Sequence, residues 1–389
     1  MFEFIYFKNH NGVQAVQLPF DLELLISEWT KLRYAMVKNP HPEFSRTEWA
    51  YLIQFIDPEM LFSTFKKAFG EPTTQAPVTA VYTPVNRVGL WLPNNVSLLG
   101  VLVVVLLSLT GVKLNIKVGS RSRNLCSAFF EWLEANSVPG LLNNWREESV
   151  VVAEFDRNDA RNSEMTASSD VRILFGSDSA ARGIEALPHP FNSRAFYFGD
   201  KVSEAWIDKS SINESLAVDL IKVFGIYGQA GCTSPKRVFI VDCDRSDAEA
   251  LINEVQRSWT STRLEEPQRH VASENVMATQ WALAQGKFAK LMPKNSAVLI
   301  LEPAGPVNVI SHMAISIQWG SLEDALLTQP SNIQSIGYSL NEQDVNLWSR
   351  ALAHSRANRF VPIALMHHFE SVWDGIPWWK QLFNIKTRT

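Results

Sequence analysis

Apolar positions change their period along the chain. Up to about Pro72 they recur at helical spacing, as in Leu22, Leu24, Leu25, Trp29 and Leu32, and again in Trp49, Leu52, Ile53, Phe55 and Ile56, which predicts a helical front end. Ser45 with Glu48 three residues on is spaced as a capping box for the second of these helices. Gly70, Pro72 and Pro77 then interrupt any regular pattern and mark a linker. From Thr79 short apolar runs alternate with helical patterns. Strands are predicted over 88–91, 114–118, 150–155, 171–175 and 195–198, and helices over 97–109, 122–136, 179–187 and 212–226. The alternation resumes with strands over 238–241, 298–301, 313–317, 333–338 and 360–365, and helices over 247–259, 321–327 and 342–357, after a polar, poorly patterned stretch to about Thr279. Apolar strands alternating with helices predict an α/β protein with parallel sheets covered on both faces, in two lobes. Ligands of such sheets bind at the carboxyl ends of the strands.

One run, from Leu98 to Leu107, is apolar enough to suggest a membrane span, but it is short of the roughly 20 residues a span needs and Lys113 and Lys117 follow closely. A helix buried on all sides is expected there. The composition, 46% hydrophobic and 20% charged with a formal net charge of -4, gives no general attraction to nucleic acid or anionic membrane. Three cysteines, Cys126, Cys232 and Cys243, are too few and too scattered for a disulfide framework or a structural zinc site. The first residues lack the basic start and small-residue cleavage site of a secretory signal, so a cytoplasmic protein is expected. His367 and His368 are adjacent, but no acidic or thiol ligand has suitable spacing, and no metal site is expected.

The stretch with most chemistry in it runs Tyr227-Gly228-Gln229-Ala230-Gly231-Cys232-Thr233-Ser234-Pro235-Lys236-Arg237. Small residues flank one thiol. Glycine on its amino side lets the chain turn tightly and a substrate come close, and a thiolate is a strong nucleophile near neutrality. Read on its own, the motif fits a nucleophile or a buried structural thiol equally well.

Further segments stand in order around it: Leu92-Pro93-Asn94-Asn95-Val96-Ser97, Ile116-Lys117-Val118-Gly119-Ser120-Arg121, Phe175-Gly176-Ser177-Asp178, Phe198-Gly199-Asp200-Lys201-Val202-Ser203, Ile333-Gln334-Ser335-Ile336-Gly337, Arg359-Phe360-Val361-Pro362 and Trp373-Asp374-Gly375. Taken with the thiol motif, this ordered set resembles the aldehyde dehydrogenase superfamily, and within it the LuxC-like fatty acyl-CoA reductases of bacterial luminescence operons. The resemblance spans roughly Leu92 to Gly375.

It implies an aldehyde dehydrogenase-like fold of two Rossmann-like α/β lobes behind an N-terminal helical segment. The implied organisation is 1–74 for that segment, 75–226 for a dinucleotide-binding domain, 227–375 for a catalytic thiol domain and 376–389 for a C-terminal tail. Cys232 takes the nucleophile's place, at the seam between the lobes, and Asn95 that of the amide completing an oxyanion hole with the backbone N–H of the nucleophile. Lys117 matches the lysine on the adenine ribose, and Gly176 with Ser177 the turn that meets the pyrophosphate. Where NAD-selective relatives often carry a glutamate, this chain has Ser120, with Arg121 and Arg123 beside it; a hydroxyl and guanidinium groups accept a 2′-phosphate, which implies NADPH. The water-activating glutamate of hydrolytic relatives has no counterpart in Phe196-Tyr197-Phe198-Gly199-Asp200, so transfer to a thiol rather than to water is implied.

The activity so implied is NADPH-dependent reduction of a fatty acyl thioester to an aldehyde through a Cys232 acyl-enzyme, with His312 a candidate acid for the leaving group. The acyl group would come from acyl-CoA, an acyl carrier or a LuxE-like acyl-protein synthetase partner, and a homo-oligomer without a membrane span or nucleic acid is implied. Two other readings keep the fold and the thiol: a non-reducing pseudoenzyme that holds acyl groups or scaffolds an acyl-transfer complex, and a thioester-to-thiol acyltransferase. The dense aromatics Phe369, Trp373, Trp378 and Trp379 fit an acyl tunnel, a subunit contact or a core.

Overall fold

The computed structural model describes residues 3–74, 77–120, 123–137, 139–262, 269–307 and 313–388. Strands Glu3–Asn9 and Gly12–Leu18 form an antiparallel hairpin ahead of the first helix. The Asn9 side chain accepts from the Asn11 N–H at 2.8 Å, and Gly12 turns the chain at φ 102°, a conformation glycine adopts without strain. The front end is therefore helical only from Leu22. The helices Leu22–Lys38, Arg46–Phe55 and Pro58–Phe69 follow, and the second carries the expected capping box, with Ser45 and Glu48 bonded reciprocally.

The chain forms two compact units, 1–199 with 369–389, and 200–368. The first change of unit comes at Gly199 rather than at 226, so strand Val202–Ile207 and helix Glu214–Gly225 belong with the thiol segment; the second comes at His368 rather than at 375.

The first unit holds two sheets. One is small and mixed, in the order Phe383–Thr387, Val78–Pro84, Gly12–Leu18, Glu3–Asn9, Glu71–Pro72. The stretch expected as a tail thus closes a sheet, pairing antiparallel with Val78–Pro84. The other sheet is wholly parallel, ordered Val150–Glu154, Lys113–Val118, Arg87–Trp91, Val171–Phe175, Arg194–Phe198. Helix Ser97–Ser108 is buried at every position from Gly100 onward, as its uniformly apolar sequence requires. Among the described residues no helix is long and apolar enough to cross a membrane. Phe369, Trp373, Trp378 and Trp379 are buried here too; Trp379 packs edge-on to Phe65 and donates its indole N–H to the Leu106 carbonyl at 2.8 Å. They form core.

The second unit is built on seven strands in the order Phe288–Leu291, Val298–Leu301, Ala314–Gly320, Pro235–Val241, Val202–Ile207, Ile333–Ser339, Arg359–Pro362. All neighbours are parallel except the first pair. Helices Glu214–Gly225 and Arg245–Trp259 pack one face around Leu220, Ile240 and Leu251. Leu322–Leu327 and Val345–His354 cover the other around Trp206, Phe239 and Ile336. Helix Arg269–Ala284 fills most of the stretch that the sequence left without a pattern.

Candidate active site

In the first unit the parallel sheet grows outward on both sides from Arg87–Trp91, so the chain reverses direction between that strand and Val171–Phe175. Such a reversal opens a crevice at the carboxyl ends of the two strands. The two loops that leave it carry Asn95 and Gly176 with Ser177, and Lys117 stands near the end of the neighbouring strand Lys113–Val118. The carboxyl ends of these three neighbouring strands thus carry Lys117, Asn95, and Gly176 with Ser177.

Backbone contacts fix these loops against each other. The Leu92 N–H donates to the Lys117 carbonyl at 2.9 Å. A Cβ at Gly119 would stand 2.5 Å from Asn94 Oδ1 and 2.7 Å from the Pro93 carbonyl, so only glycine lets the two loops touch. Asn95 and Ser120 are exposed and Lys117 is half-buried, with its Nζ 5.5 Å from the centre of the Phe155 ring. Burial pushes the Lys117 ammonium down from its ordinary value, and the carboxylates of Asp156 and Glu154 work against that shift. Gly176 donates its N–H to the Phe198 carbonyl at 3.1 Å. Ser177 is the N-cap of helix Asp178–Glu185, its hydroxyl accepting from the Ala180 N–H at 3.2 Å. The serine side chain is therefore used by the helix, and what the turn offers an anion is its helix start.

The loop after Val150–Glu154 is held by a residue that the motifs did not single out. Asn162 is buried, donates to the carbonyls of Asp156, Arg157 and Asp159, and accepts the Trp91 indole N–H at 3.0 Å. One side chain so ties the loop beside Lys117 to the central strand. Arg123 corrects an expectation. It donates to the Glu43 carbonyl at 2.8 Å and pairs with Glu48 at 2.5 Å, which anchors the start of helix Arg46–Phe55. Arg121 lies outside the described residues, as does His312.

In the second unit Cys232 lies just before strand Pro235–Val241, at the amino ends of the parallel strands rather than the carboxyl ends. Its loop enters through two left-handed residues, Gly228 at φ 55° and Gln229 at φ 61°. Glycine adopts this freely, whereas glutamine needs support. Gln229 is wholly buried, donates to the Pro235 carbonyl at 2.9 Å and accepts from the Met313 N–H at 2.8 Å. Lys236 Nζ donates to the Gln229 carbonyl at 2.7 Å, and burial pushes that lysine down to about 8.

The thiol residue itself is held on its carboxyl side. Ser203 Oγ donates to the Cys232 carbonyl at 2.7 Å and lies 2.8 Å from Ser335 Oγ. Since the one Ser203 proton goes to the carbonyl, Ser335 donates to Ser203. Thr233 Oγ1 is 2.7 Å from His367 Nδ1, and His367 Nε2 is 2.8 Å from the Val223 carbonyl. Burial, with Arg359 acting in the same direction, pushes His367 down to about 4, so the imidazole is neutral near pH 7. Both ring nitrogens of His367 are engaged by Thr233 and Val223, and among the described residues no cluster of three potential metal-binding side chains occurs.

The three thiols differ. Cys126 is fully enclosed and pushed up to about 12, and Cys243, bonded to the Val241 carbonyl at 3.1 Å, is pushed up to about 11, chiefly by burial. Neither forms a thiolate near neutrality. Cys232, half-buried as Cys243 is, lies on the loop just described. Ser203, Ser335 and His367 escape a residue-by-residue reading because each acts on the loop from another segment, whereas Gln229 stands within the thiol motif itself.

The family model of acyl-CoA reductase (LuxC) matches residues 23–384. The fold is similar to solved structures of the aldehyde dehydrogenase type. An oxidoreductase from Marinobacter aquaeolei is 12% identical, with a TM-score of 0.70 over 95% of this chain and 86% of that one. An aldehyde dehydrogenase from Bartonella henselae is 13% identical, with a TM-score of 0.62 over 94% and 84%. The indole-3-acetaldehyde dehydrogenase AldA of P. syringae, solved in complex with NAD+ and IAA, is 10% identical, with a TM-score of 0.64 over 95% and 84%. No curated protein matches the chain.

Proposed function

The chain belongs to the acyl-CoA reductase (LuxC) family, and from that premise we propose that it reduces a fatty acyl thioester to the aldehyde with NADPH, through an acyl group held on Cys232. The observation that carries this reading is the fixing of the thiol loop: Cys232 is half-buried on a segment held by Gln229, Ser203 and Thr233.

The Cys232 sulfur attacks the thioester carbonyl, forming the new S–C bond as the C–S bond to the carrier breaks and the carrier thiol departs with a proton. Asn95, exposed on the loop after Arg87–Trp91, is the residue assigned the amide of an oxyanion hole. At the carboxyl ends of the parallel strands Lys117 would hold the adenine ribose of a dinucleotide and the helix start at Gly176-Ser177 its pyrophosphate. NADPH held there would supply hydride for reduction of an acyl group to the aldehyde level. Selectivity for the 2′-phosphate falls to Ser120 and Arg121, because Arg123 is paired with Glu48. Intact-mass measurement after incubation with a panel of acyl-CoA and acyl-carrier thioesters tests the reading. An adduct absent from Cys232→Ala and discharged as aldehyde on adding NADPH is expected; an adduct that NADPH leaves in place would mean an acyl-holding protein instead.

A further inference from the structure

Resting on the reading of Cys232 as the acylated thiol, we propose that His367 is a positioning residue for it, acting through the Thr233 hydroxyl to hold the peptide that follows the nucleophile. The Val223 carbonyl can only accept, so the 2.8 Å contact places the imidazole proton on Nε2. Nδ1 is then an acceptor, and the 2.7 Å contact is donated by Thr233 Oγ1. The tautomer is fixed by its partners, and the Thr233 rotamer with it.

Ser203 completes the arrangement. Its bond to the Cys232 carbonyl grips the peptide between Cys232 and Thr233 from strand Val202–Ile207, while His367 grips the residue on the far side of that peptide. A planar peptide held at its carbonyl and at the next side chain keeps little rotational freedom, which fixes the Cα from which the thiol hangs. The bland alternative is that His367 merely fills space. A buried imidazole with both nitrogens bonded is, however, a costly filler where an apolar side chain could pack.

Four substitutions separate the two roles. His367→Asn keeps an acceptor near the Nδ1 position and gives up the bond to Val223; His367→Gln keeps a donor near Nε2 and gives up Thr233. Thr233→Val removes the hydroxyl at nearly constant shape, and Thr233→Ser restores it. The readouts are the rates of Cys232 acylation by an acyl-CoA and of alkylation by iodoacetamide, both by intact mass, beside the melting temperature of each protein. Displacement of a reacting atom by about 1 Å costs on the order of a hundredfold, so Thr233→Val and His367→Gln should slow both reactions roughly ten- to hundredfold, with KM for NADPH unmoved. Thr233→Ser and His367→Asn should recover most of the loss. Rates within threefold of the parent in all four, or losses that follow melting temperature whichever nitrogen is kept, would overturn the proposal. Failure of the parent to form an acyl adduct would instead sink the functional reading, while the alkylation rates would still report on the clamp.

Discussion

Replacing Gln229 by leucine is the sharpest challenge to the account of the thiol loop. The residue is wholly buried in the left-handed region at φ 61°, where a side chain other than glycine costs about 1–2 kcal/mol. The wild-type chain offsets that strain with bonds to the Pro235 carbonyl and from the Met313 N–H, at 2.9 and 2.8 Å. Leucine keeps the strain and leaves both backbone groups buried without a partner, at about 1–3 kcal/mol each. Its greater apolar burial returns part of this, and a net loss of about 2–4 kcal/mol is expected. For a unit of this length each kcal/mol lowers the melting temperature by roughly 2–4 °C, so the second unit should melt about 4–16 °C early by calorimetry. Gln229→Gly relieves the backbone strain but strands the same two groups, so it should fall between parent and Gln229→Leu. A leucine variant melting within about 2 °C of the parent, or a glycine variant below the leucine one, would refute the reasoning.

Arg123→Ala breaks a pair whose arginine is half exposed, 49% for its side chain, so it should cost no more than about 1 kcal/mol and leave NADPH affinity within twofold by fluorescence titration; a fivefold loss would return Arg123 to the cofactor site. Lys236 is pushed down to about 8 from an ordinary 10.5, so between those values the unfolded chain binds more protons than the folded one and stability climbs with rising pH. Urea midpoints at pH 7.5, 9 and 10 should show this rise in the parent and a flatter profile in Lys236→Met; equal slopes in the two would mean the ammonium is not buried at a cost.

What could be read in the sequence was the part of the fold held by continuous apolar runs. Val171–Phe175 is buried at every position, and such strands alternating with helices are visible without a partner. The N-terminal hairpin was hidden because its alternating run is short and sits beside a strong helical period. Helix Arg269–Ala284 escaped because apolar residues occur on both its faces, Ala278 and Ala282 buried but Met277 and Trp281 exposed. Strand Val202–Ile207 was missed for another reason: Ser203 and Glu204 look like solvent-facing residues, yet both are wholly buried.

Glu204 pairs with Arg237 at 2.6 Å, Arg237 also donates to Gln318 Oε1 at 3.2 Å, Ser203 grips the Cys232 carbonyl and Gln229 the Pro235 carbonyl. These buried polar groups gather around Pro235–Val241, the strand that the thiol loop enters. Apolar side chains would fill the same space at lower cost in desolvation. What they could not supply is direction, because apolar contact tolerates sliding and rotation whereas paired donors and acceptors do not. A sequence pattern that equates polar with exposed therefore fails where the backbone must be held stiff, and local motifs show the cysteine but not the distant hydroxyls and imidazole bonded around its loop.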